Sequence, residues 1–133
     1  MAQFFNLNQY NNNKPSGRLE SRDLPSFDFI LLGIGPDGHT ASLFPGHPAL
    51  EVSSRITTAI DGTYGKPAVP RVTLTLPVIN QAKTVLFLVS GRKKQSVVES
   101  ILTNVEKASK HFPAARVKPR ERLLLFHDLD ILS

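Results

Sequence analysis

Apolar positions along this chain gather into short runs punctuated by glycine and proline. Residues 27–32 are apolar except for Asp28, and the run stops at Gly33. A run of that length bounded by glycine predicts a strand buried on both faces, as in parallel sheets. Gly33, Gly35 and Gly38 then permit a turn with close backbone approach. Residues 40–44 predict a short helix ended by Pro45-Gly46. Strand, glycine turn and helix together place His39 near a helix N-terminus, at the C-terminal edge of a sheet. Open α/β sheets bind ligands at that edge, and helix N-termini favour anions.

The remainder alternates in the same manner. Residues 47–65 are irregular, broken by Pro48, Gly62 and Gly65, with one short strand within 53–60. Residues 69–76 predict a strand in which Val72, Leu74 and Leu76 alternate with Thr73 and Thr75. Pro77 opens a short helix through Gln81 and Ala82. Residues 84–89 predict a second buried strand, turned at Gly91 into a helix over 92–104. Val97, Val98, Ile101 and Leu102 form the apolar stripe of that helix. A helical turn at 113–117 and a closing strand at 122–126 complete the pattern. Alternating strands and helices give an α/β fold with a largely parallel sheet and flanking helices. Residues 1–23 are polar and Asn-rich and read as a tail or junction; residues 24–133 form the domain.

Composition narrows the function classes. A length of 133 residues holds one core, and a formal charge of +5 favours anionic partners. The basic residues are scattered, with few aromatics between them and no recognition motif, so nucleic acid is not expected. No run of 18 apolar residues and no secretory signal are present, so no membrane association is expected. The absence of cysteine excludes disulfides and thiolate chemistry.

The candidate chemistry lies at residues 32–46. His39 and Thr40 stand where a dinucleotide fingerprint requires its third glycine, and no Gly-Lys-Ser/Thr ends the turn as in a Walker loop. No second His or acid follows at helical spacing, so a metal site is not expected. What remains is an Asp37/His39 pair at the crest of a turn. Asp37-Gly38 is also an ordinary turn dipeptide, so turn chemistry and catalysis are both open to Asp37.

The unbroken stretch Leu32-Gly33-Ile34-Gly35-Pro36-Asp37-Gly38-His39-Thr40-Ala41-Ser42-Leu43-Phe44-Pro45-Gly46 resembles the signature of 6-phosphogluconolactonases. Residues 71–80, 85–94, 112–115 and 123–128 resemble later blocks of that family in order. The sister glucosamine-6-phosphate deaminases share the fold and the turn. Their turn is followed by a Phe-Asn-Glu-Pro-type sequence, where this chain has Ser42-Leu43-Phe44-Pro45. The resemblance spans residues 24–131 and matches the later half of the family's domain. The Ser-Gly-Gly-type loop and the Asp-Glu-Arg segment of its earlier half are not found.

The resemblance implies a Rossmann-like sheet of the sugar-phosphate isomerase/lactonase type lacking its N-terminal part. It implies cytoplasmic hydrolysis of 6-phosphoglucono-δ-lactone to 6-phosphogluconate in the oxidative pentose phosphate pathway, without a cofactor. His39 matches the family's proposed general base, and Asp37 would orient it or hold water. Arg71 and Lys94 match cationic positions suited to the substrate's phosphate, and Gly35 and Gly38 would shape the turn and lend N–H donors. Asn80 also matches, with a structural role at a helix end. His47, His111 and His127 have no assigned partner. An incomplete sheet implies self-association or a partner chain that completes it. The alternative is a non-catalytic remnant that binds a sugar phosphate or a protein.

Overall fold

The computed structural model describes residues 21–131; the expected tail therefore lies almost wholly outside the described residues. Five strands and three α-helices follow in the order β1 (Phe29–Leu32), β2 (Thr57–Ile60), β3 (Arg71–Leu74), α1 (Leu76–Gln81), β4 (Thr84–Val89), α2 (Gln95–Thr103), α3 (Val105–Ser109) and β5 (Arg122–His127). Short 3-10 turns at Pro48–Glu51, Arg92–Lys94 and Pro113–Arg116 connect them. The expected parallel sheet is present: β1, β4 and β5 pair in parallel in the order β1-β4-β5. The strands β2 and β3 form a separate antiparallel pair.

Alternation in β4 decides where the core sits. Val85, Phe87 and Val89 are buried, and they pack with Ile34, Val97, Val98, Ala114 and Val117. The opposite face corrects the expectation of strands buried on both sides. In register, Leu31 lies beside Leu86 and Leu124, and Leu88 lies beside Phe126. Phe29, Leu31, Leu88 and Leu124 are about half exposed and Phe126 is 70% exposed. The hydrophobic pattern foresaw two covered faces because the residues are apolar on both. Among the described residues, helices cover one. The strand β1 is also an edge strand, as the incomplete sheet implied.

Three further elements depart from the sequence pattern. No helix forms over residues 40–44. The Thr40 hydroxyl donates to the Gly33 carbonyl at 2.8 Å, and the Leu43 N–H donates to the Thr40 carbonyl at 2.9 Å. Ala41 sits at φ +50°, so these residues close a tight bridged turn instead. In β3 and just after it the threonines face inward: Val72 is 73% exposed while Thr73 and Thr75 are buried. Both hydroxyls are satisfied there, Thr73 accepting from the Ser42 N–H and Thr75 donating to the Arg55 carbonyl. The helix expected over 92–104 is a 3-10 turn followed by α2, and its stripe loses Leu102, which is 57% exposed. Asn104 then breaks the helix and caps α3, its side chain accepting from the Lys107 N–H at 2.9 Å.

Pro77 opens α1 as expected, and Asn80 has the expected structural role. Its side chain donates to the Arg116 carbonyl at 3.2 Å and accepts from the Lys118 N–H at 2.7 Å. This clamps the segment that leads into β5. Ile79, on the same helix, is fully buried in the core. Ile79→Ala is expected to cost about 2–5 kcal/mol in urea unfolding, whereas Leu88→Ala, on the uncovered face, changes stability by about 0.5 kcal/mol or less.

Candidate active site

The strands β1 and β4 run parallel, so their C-terminal ends lie at one edge of the sheet. From that edge β1 leads into the glycine turn and β4 leads into Gly91. The turn is closed by its own backbone: the Gly35 N–H donates to the His39 carbonyl and the Gly38 N–H to the Gly35 carbonyl, both at 2.9 Å. The C-terminal half of the chain fastens it, since the Ala114 N–H donates to the Gly38 carbonyl at 3.0 Å. His39 therefore stands on a hydrogen-bonded turn at the sheet edge. It does not stand at a helix N-terminus, because residues 40–44 form the bridged turn described above.

The glycines are required by contacts. A Cβ on Gly35 would lie 2.2 Å from both Cε1 and Nδ1 of His39 and 2.8 Å from an Asp37 carboxylate oxygen. Gly38 has φ +83°, and a Cβ there would lie 2.4 Å from the Phe112 ring. The N–H groups of both are engaged inside the turn, so what these glycines contribute is space rather than the donors expected of them.

Asp37 and His39 meet directly. His39 Nδ1 lies 2.5 Å from Asp37 Oδ1, and the same oxygen accepts from the His39 backbone N–H at 3.1 Å. Asp37 thus does turn chemistry and contacts the ring at once. Partial burial works to raise the Asp37 carboxyl. The hydrogen bonds from the backbone and ring of His39, with the charge of the ring, outweigh it and hold the group below its ordinary value. An ionised carboxylate only accepts, so this contact calls for a proton on Nδ1, and in the tautomer that meets this need the Nε2 lone pair is left open. The ring packs 4.8 Å from that of Phe44 and its side chain is 29% exposed.

A cleft of about 710 Å³ opens in front of this pair. Two segments line it, one with Pro36, Asp37, His39, Phe44 and Pro45, the other with residues 63–66. Its volume lies within the range of about 300–1,000 Å³ usual for small-molecule sites. Sequence reasoning missed the second wall, Thr63, Tyr64, Gly65 and Lys66, which it took as irregular chain. The signal was a lysine set between Gly65 and Pro67, just upstream of Arg71.

Arg71 lies behind this wall. Its Nη2 donates to the Pro67 carbonyl at 2.6 Å, and its guanidinium lies 5.9 Å from the Phe44 ring centre. Its Nε is buried without a hydrogen-bond partner among the described residues. Lys94 ends the 3-10 turn after Gly91. Asp128 fixes that turn, accepting from the Ser90 hydroxyl at 2.6 Å and the Gly91 N–H at 3.1 Å. These two donors hold the Asp128 carboxyl below its ordinary value. The structure brings Asp37, His39, Gly35 and Gly38 together; Arg71 lies against Gly65 and Pro67, and neither Arg71 nor Lys94 lines the cleft.

Two histidines without an assigned partner have structural ones. His47 Nδ1 accepts from the Ala49 N–H at 3.0 Å and its ring meets Tyr64 edge-on at 4.6 Å, while His127 Nδ1 accepts from the Leu129 N–H at 3.2 Å. No group of three or more His, Cys, Asp or Glu side chains suited to a metal occurs among the described residues. None of the described helices is long and apolar enough to cross a membrane.

Two expected outcomes follow from this geometry. Gly35→Ala displaces the His39 ring from Asp37, seen as altered ring resonances in NMR spectra of a chain that still folds. His39→Gln raises the Asp37 carboxyl toward its ordinary value in a carboxylate NMR titration. In the wild type, stabilisation from the contact is in place above the ordinary carboxylate range and is lost as pH falls through the lowered value.

Comparison with known proteins agrees with the sequence signature. The model of the glucosamine-6-phosphate isomerase/6-phosphogluconolactonase family matches residues 6–126. The 6-phosphogluconolactonase of Rattus norvegicus is 50% identical over 97 residues, covering 73% of this chain and 36% of the rat protein. That of Synechocystis is 42% identical over 111 residues, covering 84% of this chain and 44% of the relative. The crystal structure of 6-phosphogluconolactonase from Thermotoga maritima superposes with a TM-score of 0.66 at 34% identity, covering 80% of this chain and 47% of that one. The chain thus spans less than half the length of each of these relatives. With the signature turn, the parallel sheet and the family model in agreement, the chain belongs to the glucosamine-6-phosphate isomerase/6-phosphogluconolactonase family.

Proposed function

We propose that the chain carries the catalytic turn of a 6-phosphogluconolactonase and that His39 is its general base. The observation that carries this reading is the Asp37–His39 contact at the head of an open cleft. His39 Nε2 takes a proton from water as the oxygen attacks the lactone carbonyl carbon. The tetrahedral oxyanion then collapses and breaks the bond from that carbon to the ring oxygen. The imidazolium returns its proton to the departing ring oxygen, giving the open-chain acid. Asp37 keeps the ring in the productive tautomer and stabilises the imidazolium, with Gly35 and Gly38 leaving the space for both. No step calls for a cofactor. The substrate is a phosphorylated sugar lactone, and Arg71 and Lys94 supply positive charge around the cleft. The reaction belongs to the cytoplasm, as the oxidative pentose phosphate pathway implies.

We further propose that the chain works with a polypeptide supplying the rest of a family domain, laid on the apolar face of β1, β4 and β5. The relatives' greater length and the row Leu31, Leu88 and Phe126 support this occupant over a second copy. Sedimentation tests it: the isolated chain is expected to run as a monomer, and a discrete dimer dispersed by Phe126→Lys would favour the second copy.

Hydrolysis of freshly generated 6-phosphoglucono-δ-lactone above the spontaneous rate tests the activity. His39→Ala is expected to lower kcat about 10²- to 10⁴-fold. Asp37→Asn is expected to lower it with a smaller effect on KM. A rate unaffected by His39→Ala contradicts the assignment. A folded chain with no activity of its own supports the reading as a binding remnant, in line with its share of the family length.

A further inference from the structure

We propose that Phe112 is a positioning residue for the Asp37–His39 pair: its side chain fills the space beside Gly38 and holds the one residue that separates the two. This rests on the lactonase reading of the turn and extends the site to a residue that does not line the cleft.

Gly38 lies between Asp37 and His39, so its main chain sets how the carboxylate and the ring approach one another. Three contacts fix that main chain. Its N–H donates to the Gly35 carbonyl at 2.9 Å, and its carbonyl accepts from the Ala114 N–H at 3.0 Å. At the α-carbon there is no spare room. A Cβ on Gly38 would lie 2.4 Å from Cδ1, 2.7 Å from Cβ and 2.8 Å from Cγ of Phe112. The hydrogen bonds hold the two ends of the residue, and the Phe112 side chain stops its α-carbon from moving toward it. The three atoms nearest that position all belong to Phe112, so no other side chain stands ready to replace it.

Phe112 is itself held. Its N–H donates to the Ala108 carbonyl of α3 at 2.8 Å, and its carbonyl accepts from the Ala115 N–H at 3.0 Å. Pro113, Ala114 and Ala115, which follow it, are buried. Asn104 caps α3 at its other end. Phe112 thus ties α3 to the turn from a fixed main chain. It also borders a groove of about 660 Å³ lined by residues of α2 and α3. Truncation at residue 112 joins the vacated space to that groove and leaves the Gly38 α-carbon free to shift. A general base acts from a narrow range of positions, and a misplacement of about 1 Å costs about 10²-fold in rate.

Phe112→Ala and Phe112→Leu in the full chain test this, with Ile79→Ala, a buried site elsewhere, as the control for lost stability. The first measurement is the His39 ring in nitrogen NMR spectra, together with the Asp37 carboxylate titration; neither needs turnover. Phe112→Ala is expected to lessen the preference for a proton on Nδ1 and to bring the Asp37 carboxyl closer to its ordinary value. Phe112→Leu, which keeps part of the packing, moves both in the same direction and less, and Ile79→Ala moves neither. Adding Phe112→Ala to Gly38→Ala removes the clash at the new methyl, so the double variant disturbs the His39 ring less than Gly38→Ala alone. In the hydrolysis assay Phe112→Ala is expected to lower kcat about 10- to 100-fold with little change in KM. A ring and a carboxyl unmoved in either folded Phe112 variant, or moved equally by Ile79→Ala, overturn the proposal. If His39→Ala still abolishes hydrolysis in that case, the lactonase reading stands without it. A ring displaced by Phe112→Ala in a chain that hydrolyses nothing does the reverse: the positioning contact stands and the lactonase reading falls.

Discussion

The site depends on the missing side chain at Gly35. The imidazole of His39 and the carboxylate of Asp37 occupy the volume that a methyl group at residue 35 would fill. From that close approach follow the 2.5 Å contact and the lowered Asp37 carboxyl. The turn that makes the approach possible is closed by two internal backbone hydrogen bonds and fastened to Ala114. Residues nearly eighty positions apart therefore fix one ring. In the proposed role, a base held in this way needs no reorganisation when a proton is transferred to it.

The rest of the fold serves to bring the two walls of the cleft together. One wall grows from β1, through the turn and the buried Leu43 and Phe44. The other grows from the β2–β3 pair, whose connecting segment carries Tyr64 and Lys66. Phe44 joins them, touching the His39 ring, the Tyr64 ring and the Arg71 guanidinium. The helices cover only the face of the sheet beneath these walls. The face of Leu31, Leu88 and Phe126 is left uncovered among the described residues.

Much of this was legible in the sequence because glycine and proline punctuate it so clearly. The strands at Phe29–Leu32, Thr84–Val89 and Arg122–His127 stand where apolar runs end at breakers. The Asp37–His39 pair was legible because an acid two residues before a histidine, on a glycine turn, can meet it. What failed was local and has local causes. Residues 40–44 carry enough helix formers to predict a helix, but the Thr40 hydroxyl closes a turn onto Gly33. Thr73 and Thr75 read as the polar face of β3, yet backbone partners allow both hydroxyls to be buried. The second wall of the cleft was hidden because nothing in a Tyr-Gly-Lys-Pro sequence says which surface it will face.

The most direct measurement is the tautomer of the His39 ring, read from its nitrogen NMR shifts near neutral pH. The account predicts a proton on Nδ1, shared with Asp37, and a bare Nε2. Asp37→Asn should disturb that preference. A proton on Nε2 in the wild type, or a tautomer equilibrium indifferent to Asp37, would contradict the central claim that this turn exists to prepare a base.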